Sequence, residues 1–163
     1  MMLRQIGTSV VCMLVVACCL LSAGNAFGQG SPTDLAENNF ERFAYINAYC
    51  SRVIAQPLPE TLLEAGASSY SIELAVEGML QSEVAFQNCL DALKTDNNQL
   101  WYWAWARSLQ AQSALEELHE ITGNVNAATA ASYSKWAAAD ALDAFMESGA
   151  SLPNSRNNRR GGR

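Results

Sequence analysis

The string Glu116-Glu117-Leu118-His119-Glu120 holds the residue types most able to do chemistry in this chain. Glu116 and His119 have the Glu-x-x-His spacing that carboxylate-bridged di-iron sites use inside helical bundles. Such a site needs the motif on two helices and an inward glutamate from two more. His119 is the sole histidine of the sequence, and Glu116 and Glu120 fall opposite the apolar positions Leu115 and Leu118. The string therefore reads as a solvated acidic face, and no metal or other cofactor is expected. There is no glycine-rich phosphate loop, no Cys-x-x-Cys-His and no Gly-x-Ser-x-Gly elbow either.

Glu83 and Arg107 fall on the apolar faces of consecutive helical windows. In a hairpin turning near Asn97 they are offset by four residues, about 6 Å along the axis. A buried charge is costly unless paired, so the two are expected to meet, fixing register or holding the charged end of a ligand. Trp101 and Trp105 are expected off the main apolar face of their helix, and Trp136 sits among Asp140, Asp143 and Glu147. Half-wet tryptophans suit interfaces, which makes these three candidate ligand or partner contacts. The acidic row does not make a calcium cage, because carboxylates along a straight helix cannot wrap around an ion.

Cysteine usage depends on processing. Residues 1–26 carry Arg4, an apolar run from Val10 to Leu21 and a small-residue exit at Ser22–Ala26, which is the pattern of a secretory signal peptide. Cleavage is expected after Ala26, with Gly28 as the alternative. Val15-Val16-Ala17-Cys18 offers a second route, a lipoprotein anchored at Cys18. The apolar run is shorter than the roughly 20 residues of a membrane-spanning helix, and nothing later is apolar enough to span. The expected product is exported, secreted or periplasmic, and retains only Cys50 and Cys89. An oxidising compartment invites a disulfide between them. A plain hairpin of the first two helices separates them by about 19 Å along the axis, against the roughly 7 Å that a bridge allows between Cα atoms, so the pair is only a possible disulfide.

The elements that position these residues are helices. Residues 27–33 read as a linker, 34–150 as one bundle domain and 151–163 as a disordered basic tail. Helical windows cover about 33–56, 69–95, 98–122 and 124–149, punctuated by Pro57 and Pro59, Asp96-Asn97 and Gly123. The Pro57–Ser68 link has helical tendency of its own at Glu60–Ala65. At 100° per residue, Phe40, Phe43, Ile46, Cys50, Val53 and Ile54 share a face of the first helix. Ile72, Val76, Met79, Phe86, Leu90 and Leu93 share one on the second. Leu100, Trp103, Ala104, Ala111, Ala114, Leu115, Leu118 and Ile121 do so on the third. Half of residues 127–144 are alanine, so the fourth helix needs bulk from a partner. Trp103 and Trp105 are expected to supply it against Ala138, Ala141 and Leu142. The fold class is all-α, an up-down four-helix bundle.

Charge narrows the partners. The chain of 163 residues has a formal charge of -6, which argues against a nucleic-acid binder. Sixteen acidic and five basic residues lie in 27–150, while 151–163 holds Arg156, Arg159, Arg160 and Arg163 and no acid. The tail is expected to contact an anionic surface polymer or the acidic bundle itself. The sequence thus supports a non-catalytic interaction module that binds a second copy or another exported protein. Its alternatives are a carrier of a hydrophobic or amphipathic small ligand and a carboxylate- or metal-dependent enzyme.

Overall fold

A computed structural model describes residues 32–150. The expected signal peptide, the Cys18 anchor and the arginine tail lie outside the described residues. A single 3-10 turn, Pro32–Asp34, precedes five α-helices: α1 (Asn39–Ala55), α2 (Leu58–Glu64), α3 (Ser69–Thr95), α4 (Gln99–Thr122) and α5 (Val125–Glu147). The described chain is all-helical and bundle-like. No helix among the described residues is long and apolar enough to cross a membrane.

Local chemistry sets most boundaries. Asn38 accepts a hydrogen bond from the Glu41 N–H at 3.0 Å and caps α1. The first helix therefore starts at Asn39 and not at Thr33, because the Asn38 side chain satisfies a donor that Thr33-Asp34 cannot reach. Ser68 caps α3 by accepting from Ser71 N–H. Asn124 caps α5, accepting from the N–H groups of Asn126 and Ala127 at 2.9 and 3.1 Å. Gly123, at φ +67°, ends α4 in the left-handed conformation that a Cβ disfavours. The Pro57–Ser68 link forms α2, with Leu58 and Leu62 buried, and α2 lies against α3.

Each long helix packs on two others: α3 on α1 and α4, and α5 on α4 and α1. Tyr45 stacks near Phe86 while Ser51 meets Ser82, so α1 and α3 run antiparallel. Asn47 meets Asp140 while Ser51 meets Ser134, so α1 and α5 do likewise.

The core differs from the expected faces. Its buried positions recur at alternating steps of three and four, and most are small. They are Ala44, Ala48, Ser51 and Ala55 on α1, and Ser71, Ala75, Gly78, Ser82, Ala85, Cys89 and Ala92 on α3. On α4 they are Trp101, Ala104, Ser108, Ala111, Leu115 and Leu118, and on α5 Ala127, Ala130, Ser134, Ala137, Ala141 and Ala144. This heptad spacing turns one stripe of each helix to the bundle axis. Phe43, assigned to the core by periodicity, is 49% exposed, and Ile121 is exposed as well. Small axial residues let the backbones approach closely, which moves larger apolar side chains to the flanks. At one layer a Cβ on Gly78 would lie 2.7 Å from Cγ and Cδ2 of Leu115, so the glycine makes room for the leucine.

One layer is polar. The Ser51 hydroxyl donates to the Ala130 carbonyl at 3.1 Å and lies 3.0 and 2.7 Å from the hydroxyls of Ser82 and Ser134. With its single proton committed, Ser51 accepts from both neighbours. This ties three helices at one height, and a register slip would strand the hydroxyls in the core.

Candidate functional site

The structure separates the residues that the sequence grouped together. Ser82 is the axial residue of its turn, so Glu83 turns toward α1 and Gln81 toward α4. Glu83 pairs with Arg52, whose guanidinium also sits 4.9 Å from the Phe86 ring centroid. Arg107 donates to Gln81 at 3.2 Å and to Gln110 at 3.0 Å. The expected Glu83–Arg107 pair is therefore absent, since the two side chains leave α3 and α4 on different flanks. Burial alone would raise the Glu83 pKa. Hydrogen bonds from Gln87 and Arg52 and the charge of Arg52 outweigh it and hold the carboxyl below its usual value.

The tryptophans are also redistributed. Trp101 is 2% exposed and belongs to the core cluster with Phe145, Phe86 and Tyr45. It was expected off the core, and the heptad register is what brings it in. Trp103 takes the outward place, at 46% exposure. Trp105 is half-buried against Tyr102, with ring centroids 5.2 Å apart. Trp136 is 52% exposed, and Tyr133 stands edge-on to it at 5.3 Å.

Cys50 and Cys89 are both buried thiols, and no disulfide joins them. With Ser51 level with Ser82, Cys50 lies level with Glu83, six residues or about 9 Å along the axis from Cys89. That distance exceeds what a bridge spans. Burial pushes the Cys89 pKa far up, so its thiol is inert. His119 places a ring nitrogen 3.0 Å from the Asn124 carbonyl, and Glu116 accepts from Gln112. These two residues support the α4–α5 turn and its flank. Among the described residues no three histidine, cysteine, aspartate or glutamate side chains gather as metal ligands do.

Among the described residues, two places stand out that could receive a ligand. The first is a cavity of about 220 Å³ at one end of the bundle, lined by Leu35, Glu37, Glu41, Asp96, Asn98 and Trp101 among others. Glu41 is largely buried there and already accepts from the Glu37 N–H at 2.7 Å. The second is the flank between α1 and α5. Asn47 donates to Asp140 at 2.9 Å across this groove. Phe43 on one helix and Trp136 on the other stand exposed on either side of the bond. Burial raises the Asp140 pKa; the Asn47 hydrogen bond lowers it and the charge of Asp143 raises it again. Phe43 was not among the sequence candidates. Its signal was its spacing, one residue before axial Ala44, legible only once the small residues are read as the core. No protein-family model, curated protein or solved structure matches this chain.

Proposed function

We propose that this protein is an exported, non-catalytic interaction module. It is an up-down four-helix bundle that presents the α1–α5 flank to a protein partner, a second copy included. The observation that carries this reading is the exposure of Phe43 and Trp136 on either side of the Asn47–Asp140 hydrogen bond. Large aromatic side chains around a satisfied polar contact are the composition of an interface centre with a polar rim. The axial positions of α1 and α5 are filled by alanine and serine, and the space that would suit a carrier of small ligands is the acidic end cavity.

The test is native mass spectrometry and sedimentation of the protein from its own host, with Phe43→Ser and Trp136→Ser as the paired variant. A homodimer or stoichiometric complex that the variant abolishes, with its helical content unchanged, supports the reading. A monomer without a partner, or a complex indifferent to both substitutions, overturns it.

A further inference from the structure

The cavity of about 220 Å³ at the end of the bundle, where α1 starts and α3 passes into α4, carries two polar groups that the fold leaves incomplete. Trp101 lines it and is 2% exposed. Its backbone N–H bonds to the Asn98 carbonyl, but its indole N–H meets no acceptor among the described residues. No fully enclosed side-chain nitrogen or oxygen among those residues lacks a partner. The indole N–H therefore opens onto free space, and the space that Trp101 borders is the cavity. Glu41, 8% exposed, repeats the pattern: Oε2 accepts from the Glu37 N–H at 2.7 Å, and Oε1 has no donor. An indole N–H can only donate and a carboxylate oxygen only accept, so the cavity asks for an acceptor at one place and a donor at another.

Its charge decides which donor. Glu37 and Asp96 add two carboxylates, and α3 ends there, bringing the negative pole of a 27-residue helix. Arg42 and Lys94, the cations nearest in sequence, are exposed and form no ion pair with the three carboxylates. A divalent metal ion would answer the carboxylates and leave the indole N–H unmet. Leu35, Ala92 and Leu93 supply apolar wall for a carbon skeleton. The volume lies below the roughly 300–1,000 Å³ of pockets for drug-sized ligands, which sets a small molecule.

We propose that this cavity binds a small primary amine that also carries a neutral oxygen acceptor, such as an amino alcohol. The ammonium donates to Glu41 Oε1 among the carboxylates. The oxygen accepts from the Trp101 indole N–H, and the carbon chain lies against the leucines. The site does not depend on the α1–α5 flank.

The test titrates the protein with linear aminopentanol and reads the Trp101 indole N–H resonance in ¹⁵N spectra. Pentylamine, pentanoate and calcium chloride are the comparisons. Aminopentanol should shift that resonance saturably and pentanoate should leave it in place. Pentylamine should bind at least about threefold more weakly, because it cannot accept from the indole. Glu41→Gln keeps the shape and an acceptor for the Glu37 N–H, and should weaken binding at least about tenfold by removing a charge-assisted bond. Asp96, at φ +53°, is exposed, and asparagine also tolerates this left-handed conformation. Asp96→Asn should therefore fold and weaken binding about two- to threefold. No saturable shift, an effect of pentanoate equal to that of the amine, or an affinity unchanged in Glu41→Gln overturns the proposal. Equal affinities for pentylamine and aminopentanol overturn the stated ligand class, and saturation by calcium below the amine concentration assigns the cavity to a metal instead. All of these outcomes are read at Trp101, whether or not the Phe43→Ser, Trp136→Ser variant loses a partner.

Discussion

Placing alanine at Gly78 sets helix propensity against packing, and the structure says which wins. Gly78 lies inside the 27-residue helix α3. By propensity alone, alanine there would stabilise the protein by about 1 kcal/mol. The new Cβ, however, would sit 2.7 Å from two carbons of Leu115, nearly an ångström inside ordinary van der Waals contact. One of those carbons is Cγ, which cannot move without the whole side chain, and Leu115 is completely buried. Overpacking of this kind costs about 1–3 kcal/mol. The net expectation for Gly78→Ala is a destabilisation of about 1 kcal/mol.

Leu115→Ala alone should cost about 2–5 kcal/mol through lost burial and the cavity left behind. In the double variant the two defects cancel in part, because the methyl group on residue 78 occupies space that the leucine vacates. The double variant should therefore be at least 1 kcal/mol more stable than the single effects added together. Urea denaturation followed by circular dichroism at 222 nm gives all four free energies. A Gly78→Ala protein more stable than the parent by about 1 kcal/mol, as propensity alone predicts, would refute the packing argument. Additivity within about 0.5 kcal/mol would refute it equally.

Further expectations follow from the same layers. Trp101→Ala should cost about 3–5 kcal/mol, whereas Trp136→Ala should stay within about 1 kcal/mol, both read by thermal or urea unfolding; equal costs would contradict the register. Ser51→Ala should cost about 1–3 kcal/mol because it strands Ser82 and Ser134, and replacing all three serines by alanine should restore most of that loss. If the triple variant is the least stable, the layer contributes more than mutual satisfaction. Glu83→Gln should cost no more than about 1 kcal/mol at pH 7, since both partners of the pair are partly solvated. A carboxyl with a lowered folded pKa stabilises above its unfolded value and loses that contribution as pH falls through the folded one. The gap between parent and variant should thus close as pH falls below the ordinary glutamate range in melting experiments, and a gap that widens in acid would reverse the assignment. Iodoacetamide should leave Cys50 and Cys89 unmodified in the native protein and alkylate both in urea, with mass spectrometry as the readout. A native mass lower by two hydrogens would establish the disulfide that this register forbids.

The sequence and the structure agree on elements and diverge on faces, for an identifiable reason. Capping residues and helix breakers act through local backbone chemistry, so Pro57, Asp96-Asn97 and Gly123 marked helix ends without reference to the fold. The orientation of each helix depends on what its partner accepts. A hydrophobic scale favours Phe43, Val53 and Ile121 over Ala44, Ser51 and Gly78, yet the small residues are the buried ones. The decisive pattern was present as the alternating three-and-four spacing of Ala, Ser and Gly on each long helix. It is invisible to a measure that scores bulk, because close approach of two backbones rewards the absence of bulk. Reading bulk as core misplaces the site as well: it exchanges Trp101 with Trp103, which stand two positions or about 200° apart on α4, and it turns Glu83 toward Arg107 instead of Arg52.

The small-residue axis also bears on why aromatic residues reach the surface. A bundle with large residues in every layer would have room to bury Phe43 and Trp136 between its helices. Here the axial positions of α1 and α5 are all alanine or serine, and Phe43 and Trp136 lie outside them on the α1–α5 flank. Burying either one would require α1 and α5 to separate, breaking the bonds of Ser51 to Ser134 and to the Ala130 carbonyl. Tight packing inside and aromatic display outside are thus one property of the same spacing. A substitution that loosens the Ser51 layer should therefore draw Trp136 inward, with a blue-shifted emission, and weaken any complex formed through the flank before it unfolds the protein.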